Sequence, residues 1–324
     1  DVTLAGTLTI PQGAGPFPAL VMVTGSGPQN RDEELYGFKP FRVIADHLTR
    51  KGIAVLRYDD RGVGGSSRGT PDATTEDFTG DALAGVAFLA KRPEIQATRI
   101  GIFGHSEGGL VAALAASRSR DVAFIIMLAG TAVPGERIIR AQAEAIARAN
   151  GATDADLAKL GAQQDLLFKA VRAGEGWEAV VESARALGRE QIQKLPDAQR
   201  KAIPDPDKAI DVAIQQQLAA AKSKWYRFFI DYDPAQALAK VTCPVLALFG
   251  SLDLQVPAEM NRKAVEEATK KAGNRDVTVK TYDGANHLFV KAVTGSPMEY
   301  PTLEKTFVPA LLEEVSGWIV ARTK

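Results

Sequence analysis

Short apolar runs, each closed by a loop of Gly, Pro, Asp and Ser, recur along the chain with amphipathic stretches between them. Pro18-Ala-Leu-Val-Met-Val-Thr24, Ile53-Ala-Val-Leu-Arg-Tyr58, Ile100 to Phe103, Val122 to Leu128 and Pro244-Val-Leu-Ala-Leu-Phe249 have the continuity expected of strands buried on both faces. Val2 to Ile10, which alternates weakly, and Val277 to Tyr282 read as further strands. Helical spacing covers Phe41 to Arg50 (stopped by Gly52), Asp77 to Lys91, Leu110 to Ser117, Glu259 to Lys271 and Pro309 to Arg322. Strands alternating with helices predict an α/β fold: a mostly parallel central sheet with helices on both faces.

The rhythm breaks once. From about Pro134 to Ala235 no strand pattern appears, and the segment is rich in Ala, Gln, Glu, Lys and Arg at helical spacing, broken by Pro196, Pro204 and Pro206. A simple crossover needs far fewer residues. The expectation is a core of residues 1–132 and 236–324, with 133–235 as a helical cap insertion.

Composition changes little in this picture. The chain has 324 residues, 45% hydrophobic and 24% charged, with zero formal net charge. That is an ordinary globular composition, and it makes no electrostatic case for nucleic acid or an anionic membrane. No apolar run reaches the length of a membrane span. Cys243 is the single cysteine, so an internal disulfide is impossible. The first residue is Asp1 rather than Met; a removed export signal and a trimmed chain fit equally, so cytoplasmic and exported locations both stay open. The oligomeric state is also open, a homodimer being one possibility.

The candidate chemistry gathers in Arg99-Ile-Gly-Ile-Phe-Gly-His-Ser-Glu-Gly-Gly109. Gly104-x-Ser106-x-Gly108, with a strand before and a helix after, is the nucleophile-elbow pattern. A serine thrust out on a strained turn needs small residues two before and two after it, and both are glycine. The backbone N–H of Glu107 starts the following helix and is placed to stabilise an oxyanion. Serine needs a base, and only His47, His105 and His287 exist. His47 lies inside a helix. His105 adjoins Ser106 and points the other way, toward supporting the turn or lining the substrate pocket. His287 follows the last strand and is the expected base. Asp253, just past the strand ending at Phe249, is the expected third member, in preference to Asp283, Asp231 and Asp233. The order Ser106, Asp253, His287 is that of an α/β-hydrolase triad.

A second oxyanion amide should come from the loop Gly25-Ser-Gly-Pro-Gln-Asn-Arg-Asp32, with Ser26 and Gln29 as candidates. Arg31 with Asp32, and Asp59 or Asp60 with Arg61, could pair to hold these loops. Trp225 and Phe229, four residues apart in the aromatic stretch Lys224 to Tyr232, could share a helix face as an apolar substrate wall. No pair of histidines has metal-ligand spacing, and Gly62-Val-Gly64-Gly65 lacks the full dinucleotide-loop register, so neither a metal nor a cofactor is expected.

Four blocks then resemble one family in order: Gly25 to Asp32, Tyr58-Asp-Asp-Arg-Gly-Val-Gly64, Gly104-His-Ser-Glu-Gly-Gly109, and the tail from Pro244 through Asp253-Leu-Gln-Val-Pro257 to Asn286-His-Leu-Phe289. The chain resembles bacterial α/β-hydrolase serine carboxylesterases with a GSGPQDRD-type loop, of the dienelactone-hydrolase and serine-aminopeptidase-like group. The block from Trp225 to Pro234 resembles that family's cap. Asn30 departs from the usual Asp. The resemblance implies hydrolysis of short acyl or aryl esters, with Ser106, Asp253 and His287 as nucleophile, acid and base. A serine aminopeptidase is the alternative, with Glu175, Glu178 or Glu182 as amine anchors. A non-catalytic binding protein on the same scaffold is a third, disfavoured because it has little reason to keep all three triad groups.

Overall fold

The computed structural model describes residues 2–324. Seven strands form one sheet: β1 (Gly6–Thr9), β2 (Phe17–Val23), β3 (Ala54–Tyr58), β4 (Ile95–His105), β5 (Phe124–Leu128), β6 (Val245–Gly250) and β7 (Val277–Tyr282). Their spatial order is β1-β3-β2-β4-β5-β6-β7. Only β1 runs antiparallel to its neighbour, β3. The other pairings are parallel, as the buried apolar runs predict.

The two-residue period of each strand divides its side chains between two cores. Ala19, Val21 and Val23 of β2, Ile125 and Met127 of β5, and Val245, Ala247 and Phe249 of β6 face one side. There they meet helices α2 (Thr75–Ala90), α3 (Glu107–Arg118) and α11 (Ala258–Lys271). Leu20 and Met22, Phe124, Ile126 and Leu128, and Leu246 and Leu248 face the other side, against α1 (Pro40–Arg50) and α12 (Leu311–Thr323). Strand β4 lies fourth of seven, so whatever follows it stands at the middle of the sheet's carboxyl edge.

Several element limits differ from the sequence expectation. Strand β1 is only Gly6–Thr9, because pairing with β3 stops at those four residues. Strand β4 begins at Ile95, five residues earlier than its apolar run, since Phe17 pairs with Ile95 across a register shift. Helix α2 begins at Thr75 rather than Asp77, because Thr74 and Asp77 close a capping box that sets the start two residues earlier. A 3-10 helix at Pro297–Thr302 has no apolar period to announce it.

Between β5 and β6 the chain is all helical: α4 (Gly135–Ala149), α5 (Asp154–Ala173), α6 (Trp177–Lys194), α7 (Asp197–Lys201), α8 (Pro206–Ala221), α9 (Lys224–Asp231) and the short α10 (Ala235–Leu238). Pro196 precedes α7 and Pro206 opens α8, where a missing N–H costs nothing. This segment has its own apolar cluster, including Leu167, Phe168, Val171, Val180, Ile210 and Ile214. Phe168 is 1% exposed within it. Phe168→Ala should therefore cost about 3–5 kcal/mol locally. Amide hydrogen exchange should quicken in α5, α6 and α8 while β4 and β5 keep their protection.

Candidate active site

Ser106 joins β4 to α3 with φ 53° and ψ −118°. A non-glycine residue held at positive φ costs of order 1–3 kcal/mol, and packing must hold it there. The Ser106 N–H donates to the Leu128 carbonyl at 2.9 Å, and its own carbonyl accepts Gly109 N–H at 3.0 Å. The flanking glycines are steric necessities. A Cβ on Gly104 would stand 1.9 Å from the Gly108 carbonyl oxygen, and one on Gly108 would stand 2.2 Å from the Val23 carbonyl oxygen. Strands β2 and β4 and helix α3 thus touch through backbone, and the serine is pushed outward.

His287 follows β7, and Asp253 follows β6. The His287 Nδ1 lies 2.8 Å from Asp253 Oδ2, and both side chains are buried. Asp253 Oδ1 also accepts the amides of Gln255 and Val256, at 2.8 and 2.9 Å, so the carboxylate is fixed before it meets the ring. Asn286 shapes the histidine loop by accepting Leu288 N–H at 3.0 Å and Val290 N–H at 3.2 Å. Ser106 and His287 line one cavity of about 380 Å³. Among the described residues no hydrogen bond joins the Ser106 hydroxyl to the His287 ring. Such bonds commonly tighten only around a bound substrate. The other candidates lie elsewhere. His47 Nε2 sits 3.1 Å from Ser316 Oγ on α12, Asp283 accepts the Ser251 hydroxyl, Asp231 pairs with Arg172, and Asp233 caps the Ala235 amide.

The loop after β2 approaches Ser106 closely. A Cβ on Gly25 would stand 3.1 Å from Ser106 Cβ. Gln29 is a correction to the expected oxyanion donors: its amide donates to Asp60 Oδ2 at 2.9 Å and is not free to serve an oxyanion. Gly25 N–H is likewise taken, by Glu33 Oε1 at 2.7 Å. Among the described residues the amides of Ser26 and Glu107 have no protein acceptor.

The expected charge pairs form with other partners. Arg31 does not pair with Asp32; its backbone and guanidinium grip Asp59, with Nη2 to Oδ2 at 2.6 Å. Asp32 pairs with Arg57, and Arg61 with Asp81 at 2.6 Å. The physical reason is reach: the loops after β2 and β3 lie side by side, so charges bond across rather than along the chain. The glycine turn at 62–65 wraps the same carboxylate, Gly65 N–H donating to Asp59 Oδ2 at 3.2 Å. Hydrogen bonding from Arg31 holds Asp59 down to about 2. Burial pushes Asp60 up to about 7, opposed by the Thr24 hydroxyl and the Gln29 amide.

For His105 the expectation is a side chain that supports the turn or lines the pocket. Its ring borders the cavity but offers no free polar atom, because Nδ1 lies 2.9 Å from Glu33 Oε1 and Nε2 lies 2.9 Å from the His287 carbonyl. Glu33 is a residue the sequence reading missed. In Asp32-Glu33-Glu34 it looks like a solvated charge run, yet it is 5% exposed at φ 50°. Trp225 and Phe229 stack at 5.4 Å between centroids and both line the Ser106 cavity. The Trp225 indole also donates to Glu107 Oε1 at 2.7 Å, where the Thr75 hydroxyl arrives at 2.7 Å. Burial raises the Glu107 carboxyl above the ordinary glutamate range, against these donors. Glu175, Glu178 and Glu182 are exposed and do not line the cavity. Among the described residues no group of three or more His, Cys, Asp or Glu side chains is placed to hold a metal ion.

A parallel sheet with this elbow and an Asp–His pair on the last two strand loops is the arrangement of a hydrolase. The profile of the alpha/beta hydrolase family matches residues 20–299, and the chain belongs to that family. It is 29% identical over 325 residues to esterase EstD of Thermotoga maritima, covering 99% of this chain and 67% of that protein. Two solved structures share the fold. One is the α/β hydrolase GrgF from Penicillium sp. sh18, with TM-score 0.59 and 15% identity, covering 99% of this chain and 95% of that one. The other is the Pyrococcus furiosus esterase PF2001, with TM-score 0.54 and 15% identity, covering 99% and 92%.

The Arg31–Asp59 grip has a testable pH signature. The folded pKa of Asp59 lies below the free value, so the contribution is present above about pH 4 and drains away as pH falls toward about 2. Asp59→Asn should lower Tm near neutrality, and the gap to the unaltered protein should close as the melt is repeated at progressively lower pH.

Proposed function

We propose that this hydrolase is a serine carboxylesterase acting on short acyl or aryl esters, with Ser106 as nucleophile, His287 as base and Asp253 as the group that orients it. The observation that carries the reading is the buried 2.8 Å Asp253–His287 bond behind a histidine that lines the same cavity as the strained Ser106. Kinship with a protein named as an esterase supports it.

In this reading the Ser106 Oγ attacks the ester carbonyl carbon as its proton passes to His287 Nε2. Asp253 accepts from Nδ1–H and favours the imidazolium that results. The carbonyl oxygen becomes an oxyanion and takes hydrogen bonds from the amides of Glu107 and Ser26. One such donor is commonly worth about 10²–10³ in turnover. His287 then protonates the departing alcohol oxygen, leaving an acyl-serine. Water enters, gives its proton to His287 and displaces Ser106, releasing the acid and restoring both groups.

Size and lining support this substrate class. A cavity of about 380 Å³ must hold both ester halves, which favours small ones, and the stacked Trp225–Phe229 wall suits an acyl or aryl group. Peptide amines find no anchor there: Glu33 is the one acidic side chain on the lining among the described residues, and Gly25 and His105 occupy it.

Ser106→Ala should lower kcat on nitrophenyl butyrate by roughly 10⁴–10⁶ while circular dichroism stays unchanged. Retained turnover would overturn the nucleophile assignment. Across a series of acyl lengths, kcat/KM should peak at acetate to butyrate and fall for long chains; a rise toward long chains, or faster cleavage of aminoacyl amides, would overturn the substrate class.

A further inference from the structure

We propose that Glu33 and His105 form a buried carboxylate–imidazolium strap that positions the oxyanion loop and the His287 loop on opposite sides of Ser106, and that turnover depends on its charge. The proposal rests on the esterase reading above and adds a pair of positioning residues to it. Neither residue is assigned a contact with the reacting atoms.

Three backbone segments end on this pair. Glu33 Oε1 accepts Gly25 N–H at 2.7 Å and faces His105 Nδ1 at 2.9 Å. His105 Nε2 lies 2.9 Å from the carbonyl oxygen of His287, the residue whose ring would serve as base. His105 itself is the last residue of β4 and immediately precedes Ser106. The loop carrying Ser26, the elbow and the loop carrying the base are therefore joined through one imidazole. The fit is close, since the Gly25 Cα face abuts Ser106 Cβ with only 3.1 Å for an added Cβ. Any slip of that loop moves the Ser26 amide relative to Ser106 Oγ.

The hydrogen-bond roles set the charge. A carbonyl oxygen only accepts, so Nε2 must carry a proton. Glu33 Oε1 already accepts an amide, and as a carboxylate it can only accept from Nδ1 as well, so with Glu33 ionised Nδ1 carries one too. A neutral ring would turn a lone pair toward an oxygen at one end and lose half of the strap. The charged groups around the ring are Glu33 from the loop after β2, Asp253 from the loop after β6 and the titratable His287 ring, 4.7 Å away between centroids. Burial disfavours the His105 charge, but Glu33 and the His287 carbonyl more than offset it, so the ring holds its proton above the ordinary histidine range. Glu33 has a second effect: its negative charge cancels that of His105 beside His287, which must itself become positive during turnover.

The charge persists below the raised value and is lost as pH rises through it, so the strap should set an alkaline limit on kcat. Glu33→Gln keeps an acceptor for Gly25 N–H but removes the counter-charge. We expect kcat to fall about 10- to 100-fold with KM within about threefold, as for a small misplacement of reacting groups. The alkaline limb of the kcat–pH profile should move by about one unit or more toward acid. Unchanged kcat and an unmoved limb would overturn the proposal. Should the variant not fold, ring-nitrogen NMR of the unaltered protein decides. With three histidines in the chain, the His105 signals are those missing from the spectrum of a His105→Gln variant. Both ring nitrogens protonated at neutral pH supports the strap; one bare nitrogen overturns it. The spectrum needs no turnover, so retained activity in Ser106→Ala would sink the esterase reading while leaving this measurement to stand or fall alone.

Discussion

Ser106 is held in a backbone shape that an L-residue avoids, and the rest of the site is arranged around that constraint. The hold comes from contacts too close to admit side chains: Gly104 against Gly108, Gly108 against the Val23 carbonyl, Gly109 against Gly130. Helix α3 supplies the counterweight, for its residues Glu107 to Ala115 are all buried. A few kcal/mol of local strain is small beside burial on that scale. Because β4 is the middle strand, the serine emerges where loops from both halves of the sheet can reach it. The fold thus settles direction first and chemistry second.

The loops that reach the serine are braced by charge. Asp59, Asp60, Asp32 and Asp81 each bind a group from a different loop or helix, and the partners are separated by 20 or more residues in sequence. Arg31 places a planar fork on Asp59, which suits two parallel hydrogen bonds. Asp60 is the exception to easy charge. Its burial opposes ionisation, yet a hydroxyl and an amide point at it, so it serves as an acceptor that ties the end of β2 to the loop after β3. Electrostatics here fixes shape close to Ser106 and contributes little net charge.

Much of this architecture was legible in the sequence because its signals are local. Apolar runs of four to seven residues mark doubly buried strands, and the glycines around Ser106 mark a turn that only small residues allow. The loss of strand rhythm after Leu128 marks the helical segment up to Ala235. What stayed hidden depends on contacts between distant residues. Gln29 looked like a free amide until Asp60, from another loop, was seen to take it. Arg31 looked bound to its neighbour Asp32, whereas sheet order delivers Asp59 instead. Glu33 carries no sequence signal at all: nothing in three consecutive acids distinguishes the one that is buried. Extra length at the start of β4 arose from pairing with Phe17, which periodicity cannot reveal.

The bond from the Trp225 indole to Glu107 has a consequence for how the interior is divided. Ser26 and Trp225 border two chambers, the one holding Ser106 and another of about 580 Å³ beyond it, into which Glu107 and Asp60 face. Swinging α9 outward would take the indole donor from a buried carboxyl that already has one oxygen without a partner and leave it the Thr75 hydroxyl. The aromatic wall is thus a bulkhead between the two chambers, pinned on its far side by that single indole bond.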